Sequence, residues 1–319
     1  MTGRVQFLGE GLDGDGALAR RLLEMGCDVR DFDPERPLGD QIGDADVVLL
    51  RDGPLGEAEF AAATQLKLVQ RTGAHVYGVD LAAAAAHGVA VSYVPTQFNP
   101  GQAVAEHTLF LLLALAKRAR ACERAVARRV VGAPTTMLLA GKTLGLVGLG
   151  RIGREMIGLA RAIGMNVVGL RQSTFPGLED ALHVRWVGGS EDLHELLGVS
   201  DVVSLHVPSS AANAGLIDAG ALEAMKSGAL LLNTSRASLI DYSAVLRAIE
   251  SGRLGGLGMD VWWSEPADPA DPLLQFENVL LTPHVGGSAE GARRGVVEVV
   301  AENVRRAING EPVKFSAQA

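Results

Sequence analysis

Cysteine, aromatic residues and excess basic charge are what this sequence has least of. Only two cysteines, Cys27 and Cys122, occur in 319 residues, far apart and in no metal-ligand spacing. That excludes a disulfide framework and a cysteine-built metal site. Both are expected to be buried, reduced thiols of a cytoplasmic protein. Aromatics make up 4% against 48% hydrophobic residues overall, so the core must be built from Ala, Leu, Val and Gly, as in many α/β enzymes. The formal charge of −8 leaves no basic surface for a phosphate backbone, which excludes a nucleic-acid partner. The longest apolar run, residues 108–116, is too short to span a bilayer. Residues 1–10 lack the apolar stretch and small-residue cleavage site of a secretory signal. No membrane association is expected.

What is present is organised around residues 144–153, Leu144-Gly145-Leu146-Val147-Gly148-Leu149-Gly150-Arg151-Ile152-Gly153. An apolar run of strand character feeds into G-x-G-x-x-G, and residues 154–163 continue with helical spacing up to Gly164. Strand, tight turn and helix are the context a dinucleotide fingerprint requires. Gly148 allows the turn, Gly150 lets the backbone approach a pyrophosphate, and Gly153 lets helix and strand pack closely. The phosphates would lie against the N–H groups that open the helix, at Arg151, Ile152 and Gly153.

The length predicts about two domains. Residues 5–8 read as a strand and 17–25 as a helix ended by Gly26. Between them Gly9-Glu10-Gly11-Leu12-Asp13-Gly14 is a second literal G-x-G-x-x-G, with Asp31 and Asp33 following at the end of the next predicted strand. Glu10, Asp13 and Asp15 would set carboxylates where a pyrophosphate lies, each like-charge pair costing about 3 kcal/mol at ~5 Å and an effective dielectric near 20. The motif is therefore read as a structural β-α turn. Strands over 46–50, 68–71 and 89–94 alternate with helices over 56–65 and 81–87, which predicts a parallel sheet. Residues 95–101 form a candidate boundary. One long helix is predicted over 103–120, too apolar for a lone surface helix. Glu106 and His107 near its start are read as capping and packing residues. Further strands are predicted over 166–170, 201–207, 230–234, 255–261 and 279–282, and a closing helix over 288–309.

Ligands of open parallel sheets bind at the carboxyl ends of the strands. The predicted strand ends deliver Arg236 after Asn233-Thr234-Ser235, Asp260 followed by Glu265, and His284 after Pro283. An arginine, a carboxylate and a histidine beside a dinucleotide are the set needed to reduce a 2-oxo acid. Arg236 would pair with the substrate carboxylate as a planar fork. His284 would exchange a proton with the C2 oxygen, and Glu265 would hydrogen-bond the imidazole and fix its tautomer.

These segments, with residues 73–80, Val104-Ala105-Glu106-His107 and 282–286, resemble the D-isomer-specific 2-hydroxyacid dehydrogenases, glyoxylate and hydroxypyruvate reductases among them. The resemblance implies two α/β domains of Rossmann-like and flavodoxin-like type with parallel sheets. A nucleotide domain, 99–286, would be inserted into a discontinuous substrate domain, 1–98 with 287–319. It also implies a homodimer built on the nucleotide domains. Carried over residue by residue, Arg236 binds substrate, His284 is the acid/base and Glu265 its partner. The N–H groups of Ala74 and His75 would hold the substrate carboxylate with Arg236. Asp260 would lie near the nicotinamide amide, Val207 and Pro208 would line the adenine side, and Thr234 would contact the nicotinamide half.

Four residues depart from the family pattern. His75 replaces a glycine and Tyr77 an acid, and Ala237 follows Arg236 where glycine is usual. Most consequential is Arg171, which ends the second strand of the nucleotide domain eighteen positions after Gly153. An acid there would bind ribose hydroxyls; Arg171, with Gln172 and Ser173, offers donors to a 2′-phosphate. An NADP(H) preference follows, with NAD(H) and Arg171 stacked on adenine as the alternative. Two other readings stay open: a non-catalytic NAD(P)-sensing protein on the same fold, and a β-hydroxyacid dehydrogenase using the first glycine motif.

Overall fold

The computed structural model describes residues 3–9, 12–13, 16–51, 53–74, 76–98, 100–173 and 177–317. The chain divides into two compact units, Met1–Pro100 with Ser288–Ala319, and Gly101–Gly287.

The first unit is built on strands β1 (Arg4–Leu8), β2 (Asp28–Arg30), β3 (Val47–Leu50), β4 (Leu68–Arg71), β5 (Ala90–Ser92) and, from the end of the chain, β13 (Ser316–Ala317). Their order is β13-β5-β4-β3-β1-β2, parallel throughout except for β13, which runs antiparallel to β5. Strand period sends Val5, Phe7, Val47 and Leu49 to a core completed by Leu18, Leu22, Val296 and Val300 of helices Ala17–Glu24 and Arg294–Ile308. Leu8, Val48 and Leu50 face the opposite core with Ile42, Phe60 and Ala84. Helices on both faces explain why Val47–Leu50 is apolar at every position.

The second unit carries β6 (Thr143–Val147), β7 (Asn166–Leu170), β8 (Trp186–Gly188), β9 (Val202–Leu205), β10 (Ala229–Asn233), β11 (Leu254–Met259) and β12 (Val279–Leu281). The order β12-β11-β10-β9-β6-β7-β8 is parallel throughout. Strand order reverses between β6 and β9, the switch point at which doubly wound sheets bind ligands.

Several elements differ from the sequence expectation. The helix predicted over 103–120 is two helices, Gly101–Ala116 and Ala119–Ala127, with Arg118 between them in the left-handed region at φ 50°. The apolar stripe ends at Ala116, and the charged Lys117, Arg118 and Arg120 have nothing to bury along the same axis. The closing helix begins at Arg294, after Gly291 at φ 71° has taken the chain out of helical register. Strands β8 and β13 are additions to the expected set, too short to carry a periodicity signal. Cys27 is buried, but Cys122 is only half-buried, its thiol donating to Lys117 O at 3.3 Å.

Among the described residues no helix is long and apolar enough to cross a membrane. The first glycine motif is filled from within. Asp13 accepts hydrogen bonds from the N–H groups of Leu18 (3.0 Å) and Ala19 (2.6 Å) at the start of helix Ala17–Glu24. Glu10, Gly11, Gly14 and Asp15 lie outside the described residues.

Candidate active site

The turn after β6 leads into helix Arg151–Ala162 at the switch point. Gly148 has φ 107°, and a Cβ there would lie 2.7 Å from His206 O. A Cβ on Gly153 would lie 2.2 Å from Gly148 O. Both glycines are therefore demanded by the protein itself. Gly150 differs: its φ is −71°, it is exposed, and a Cβ would meet no atom of the described residues within 4 Å. The helix it opens has no side-chain cap and no acid in its first turn. The N–H groups of Arg151, Ile152 and Gly153 thus stand at the positive end of a helix dipole. Where Asp13 fills the first glycine motif, this one keeps room and donors for an outside anion, and a dinucleotide pyrophosphate fits that donor set.

The flanking residues follow from the topology. Ile152 is half-buried against the core under the helix. Arg151 lies beside Gly101, where a Cβ would stand 3.0 Å from its Nε. At the end of β7 the Arg171 N–H donates to Gly188 O at 3.0 Å, and its side chain is half-buried. Gln172 and Ser173 are exposed, and Thr174 lies outside the described residues. Past the end of β9 Val207 packs beside Gly148. The exposed Pro208 accepts through its carbonyl oxygen from Asn213 Nδ2 at 3.0 Å. His206, just before them, bonds Ser204 Oγ through Nε2 at 2.9 Å. Its Nδ1 is sealed from solvent and has no hydrogen-bond partner among the described residues, and burial pushes its pKa down to about 4.

Strands β10, β11 and β12 deliver the reactive side chains. Asn233, fully buried at the end of β10, accepts from Ser235 N at 2.9 Å and donates to Arg236 O at 2.8 Å. One carboxamide thereby closes the turn that presents the exposed Arg236, whose Nη1 donates to Ser235 O at 2.7 Å. Thr234 Oγ1 shares a hydrogen bond of 2.9 Å with Thr108 Oγ1.

Glu265 and His284, nineteen residues apart, meet with Oε2 and Nδ1 at 2.8 Å. The second Glu265 oxygen accepts from Trp262 N at 3.1 Å, so the carboxylate is fixed at both ends. A carboxylate only accepts, so the His284 proton sits on Nδ1 and Nε2 is the nitrogen left for chemistry. His284 itself is in the left-handed region at φ 56°, unfavourable for a residue with a Cβ. Asp260, 3% exposed, holds it there. Its Oδ1 accepts from Val285 N (2.9 Å) and Thr282 Oγ1 (2.6 Å), and its Oδ2 from Gly286 N (2.8 Å). Burial alone would raise the Asp260 pKa. The hydrogen bonds from His107, Thr282, Gly286 and Val285 outweigh it and hold the carboxyl below the usual carboxylate range.

His107, read from sequence as a packing residue, joins this network: its Nε2 lies 2.8 Å from Thr282 Oγ1 and 3.3 Å from Asp260 Oδ1. No local pattern signals a contact across 175 residues. Ala74 is in the first unit, past the end of β4, and His75 lies outside the described residues.

A family profile described as "D-isomer specific 2-hydroxyacid dehydrogenase, NAD binding domain" matches residues 109–286. A glyoxylate reductase of Korarchaeum cryptofilum is 35% identical over 274 residues, covering 84% of this chain and 80% of the relative. A D-3-phosphoglycerate dehydrogenase of Archaeoglobus fulgidus is 32% identical over 276 residues, 84% of this chain but 50% of the relative. The chain thus spans about half the length of several curated relatives it matches. Among solved structures, the TT0316 protein of Thermus thermophilus is 33% identical with a TM-score of 0.81, over 98% of this chain and 99% of that one.

Proposed function

Because the chain belongs to the D-isomer-specific 2-hydroxyacid dehydrogenase family, we propose that it interconverts a small 2-oxo acid and its D-2-hydroxy acid with a nicotinamide dinucleotide. The observation that carries this reading is the His284–Glu265 pair at 2.8 Å, on the same strand-end edge as a glycine turn whose helix amides suit a pyrophosphate. The amides of residues 151–153 would hold the phosphates of the cofactor, which, when bound, supplies or accepts the hydride at C2. Arg236 binds the substrate carboxylate through its planar fork and so orients C2. In reduction His284 Nε2 gives its proton to the C2 oxygen as the hydride reaches carbon, and in oxidation it takes that proton back. Glu265 keeps Nδ1 protonated in both directions, so only Nε2 changes state. Glyoxylate and hydroxypyruvate are the first substrates to test.

The cofactor is proposed to be NADP(H) in preference to NAD(H), supported by the Arg171 guanidinium at the end of β7. The unit Gly101–Gly287 would bind it, and the other unit would carry the substrate loop. A homodimer through the nucleotide unit is supported by exposed Phe110, Val126, Val131 and Leu138. A panel of 2-oxo acids assayed with NADPH and NADH, for the unmodified protein and His284→Ala, tests the core of this reading. The substitution should lower kcat by about 10²–10⁴-fold, the scale of a general acid. Turnover of no 2-oxo acid by the unmodified protein, or a kcat unchanged in His284→Ala, would refute it.

A further inference from the structure

We infer that His107 is a positioning residue for the acid/base histidine, acting through Thr282 and Asp260 on the two peptide groups that follow His284. This rests on the role proposed above for His284. Hydrogen counting sets the direction of the chain. Thr282 has one hydroxyl hydrogen, and its contact of 2.6 Å with Asp260 Oδ1 claims it, since a buried carboxylate can only accept. The Thr282 oxygen must then accept at its 2.8 Å contact with His107 Nε2, which places a hydrogen on that ring nitrogen. His107 Nε2–H thus donates to Thr282 as its nearer acceptor, with Asp260 Oδ1 also in reach at 3.3 Å, Thr282 donates to Asp260, and Asp260 accepts the N–H groups of Val285 and Gly286.

The end of this chain is the turn in which His284 is held at φ 56°. That conformation needs the surrounding contacts to maintain it, and Asp260 supplies them from one carboxylate. The beginning lies on helix Gly101–Ala116, whose Leu111 and Leu112 are fully buried. His107 therefore ties the reactive turn to a rigid element. Its ring also packs against Phe110 with centroids 5.6 Å apart. A Cβ on Gly286 would come within 3.4 Å of His107 Cδ2 and 2.8 Å of Asp260 Oδ2, so ring, carboxylate and peptide are in close register. Without the His107 donor, the Thr282 hydroxyl is free to turn toward Met259 O, already 3.4 Å away, and Asp260 loses the bond that orients it.

Steady-state reduction of glyoxylate with NADPH tests the inference in His107→Phe, which keeps a ring against Phe110 but has no donor, and in His107→Gln, whose amide nitrogen reaches where Nε2 stood. Loss of one hydrogen bond to a charged network predicts a kcat about tenfold lower in His107→Phe. KM for glyoxylate, set by Arg236, should stay within about twofold, and His107→Gln should recover most of the lost kcat. Thr282→Val removes the next link, so its loss and that of His107→Phe should not add in the double variant. Equal losses in Phe and Gln, additive losses with Thr282→Val, or an undiminished kcat in His107→Phe would overturn the inference. His284→Ala run beside them separates the two levels. If it is inactive while His107→Phe keeps full kcat, only the positioning role falls; if it is active, the acid/base reading falls and takes this one with it.

Discussion

Replacing Gly150 by alanine separates a glycine kept for a ligand from a glycine kept for the fold. The backbone at Gly150, φ −71° and ψ −159°, is open to any L-residue, and a Cβ would have no neighbour among the described residues within 4 Å. Folding should therefore lose no more than about 1 kcal/mol, the size of a changed N-cap, or about 3 °C in Tm for a unit of this size. Binding is another matter. The added methyl takes up open space beside the turn, on the side from which a pyrophosphate has to approach the backbone. Displacing one hydrogen bond to a charged group costs about 1.5–3 kcal/mol, so Kd for NADPH should rise by roughly 10- to 100-fold. Gly153→Ala is the contrast: its Cβ would sit 2.2 Å from Gly148 O, an overpacking expected to cost about 1–3 kcal/mol of stability. Thermal unfolding and nucleotide titration of both variants read the two effects separately. A Gly150→Ala protein that binds NADPH and NADH as tightly as the parent would refute the assignment of this turn. So would a loss of Tm as large as that of Gly153→Ala, because the fold would then be what needs the glycine.

Arg236→Lys should raise KM for the 2-oxo acid and lower kcat together, because the ammonium lacks the fork that orients the carboxylate; full activity in that variant would show that charge alone suffices. Arg171→Asp should erase or invert an NADPH preference of roughly tenfold, the worth of one charge-assisted contact, and equal kcat/KM with both cofactors before substitution would defeat the assignment. His206 predicts a pH dependence of stability. Its folded pKa of about 4 lies below the ordinary 6.5, so the unfolded chain takes up the proton first as pH falls. Stability is unaffected above about pH 6.5, declines between there and about pH 4 by up to about 3 kcal/mol, and levels off below. Urea unfolding across that range should show the slope in the parent and lose it in His206→Gln; identical slopes would refute the attribution.

The two glycine motifs show where sequence reasoning reached and where it stopped. Both read G-x-G-x-x-G between a strand and a helix, and only the acids around the first argued against a phosphate there. The structure adds that Asp13 takes the helix amides of Leu18 and Ala19 itself, whereas helix Arg151–Ala162 opens with no acid in its first turn. Periodicity made the parallel sheets legible, because strands covered on both faces are apolar at every position and their helices repeat at a different spacing. It ran one helix through the break at Arg118, and it missed β8 and β13, since two or three residues carry no period.

Arg236, Glu265 and His284 were legible as candidates from chemistry and position alone, since each stands just past a predicted strand in a fold that gathers strand ends on one edge. The contact of Glu265 with His284 is a tertiary fact, produced when β11 and β12 lie side by side in register. The same holds more strongly for His107 and Asp260, whose side chains meet only because helix Gly101–Ala116 packs across β10, β11 and β12. Local sequence determined which segments are strands and helices and which residues have the chemistry to act, because periodicity and side-chain type are properties of neighbours along the chain. Which donors meet which acceptors was decided by tertiary structure, because a hydrogen bond depends on distance and direction in space.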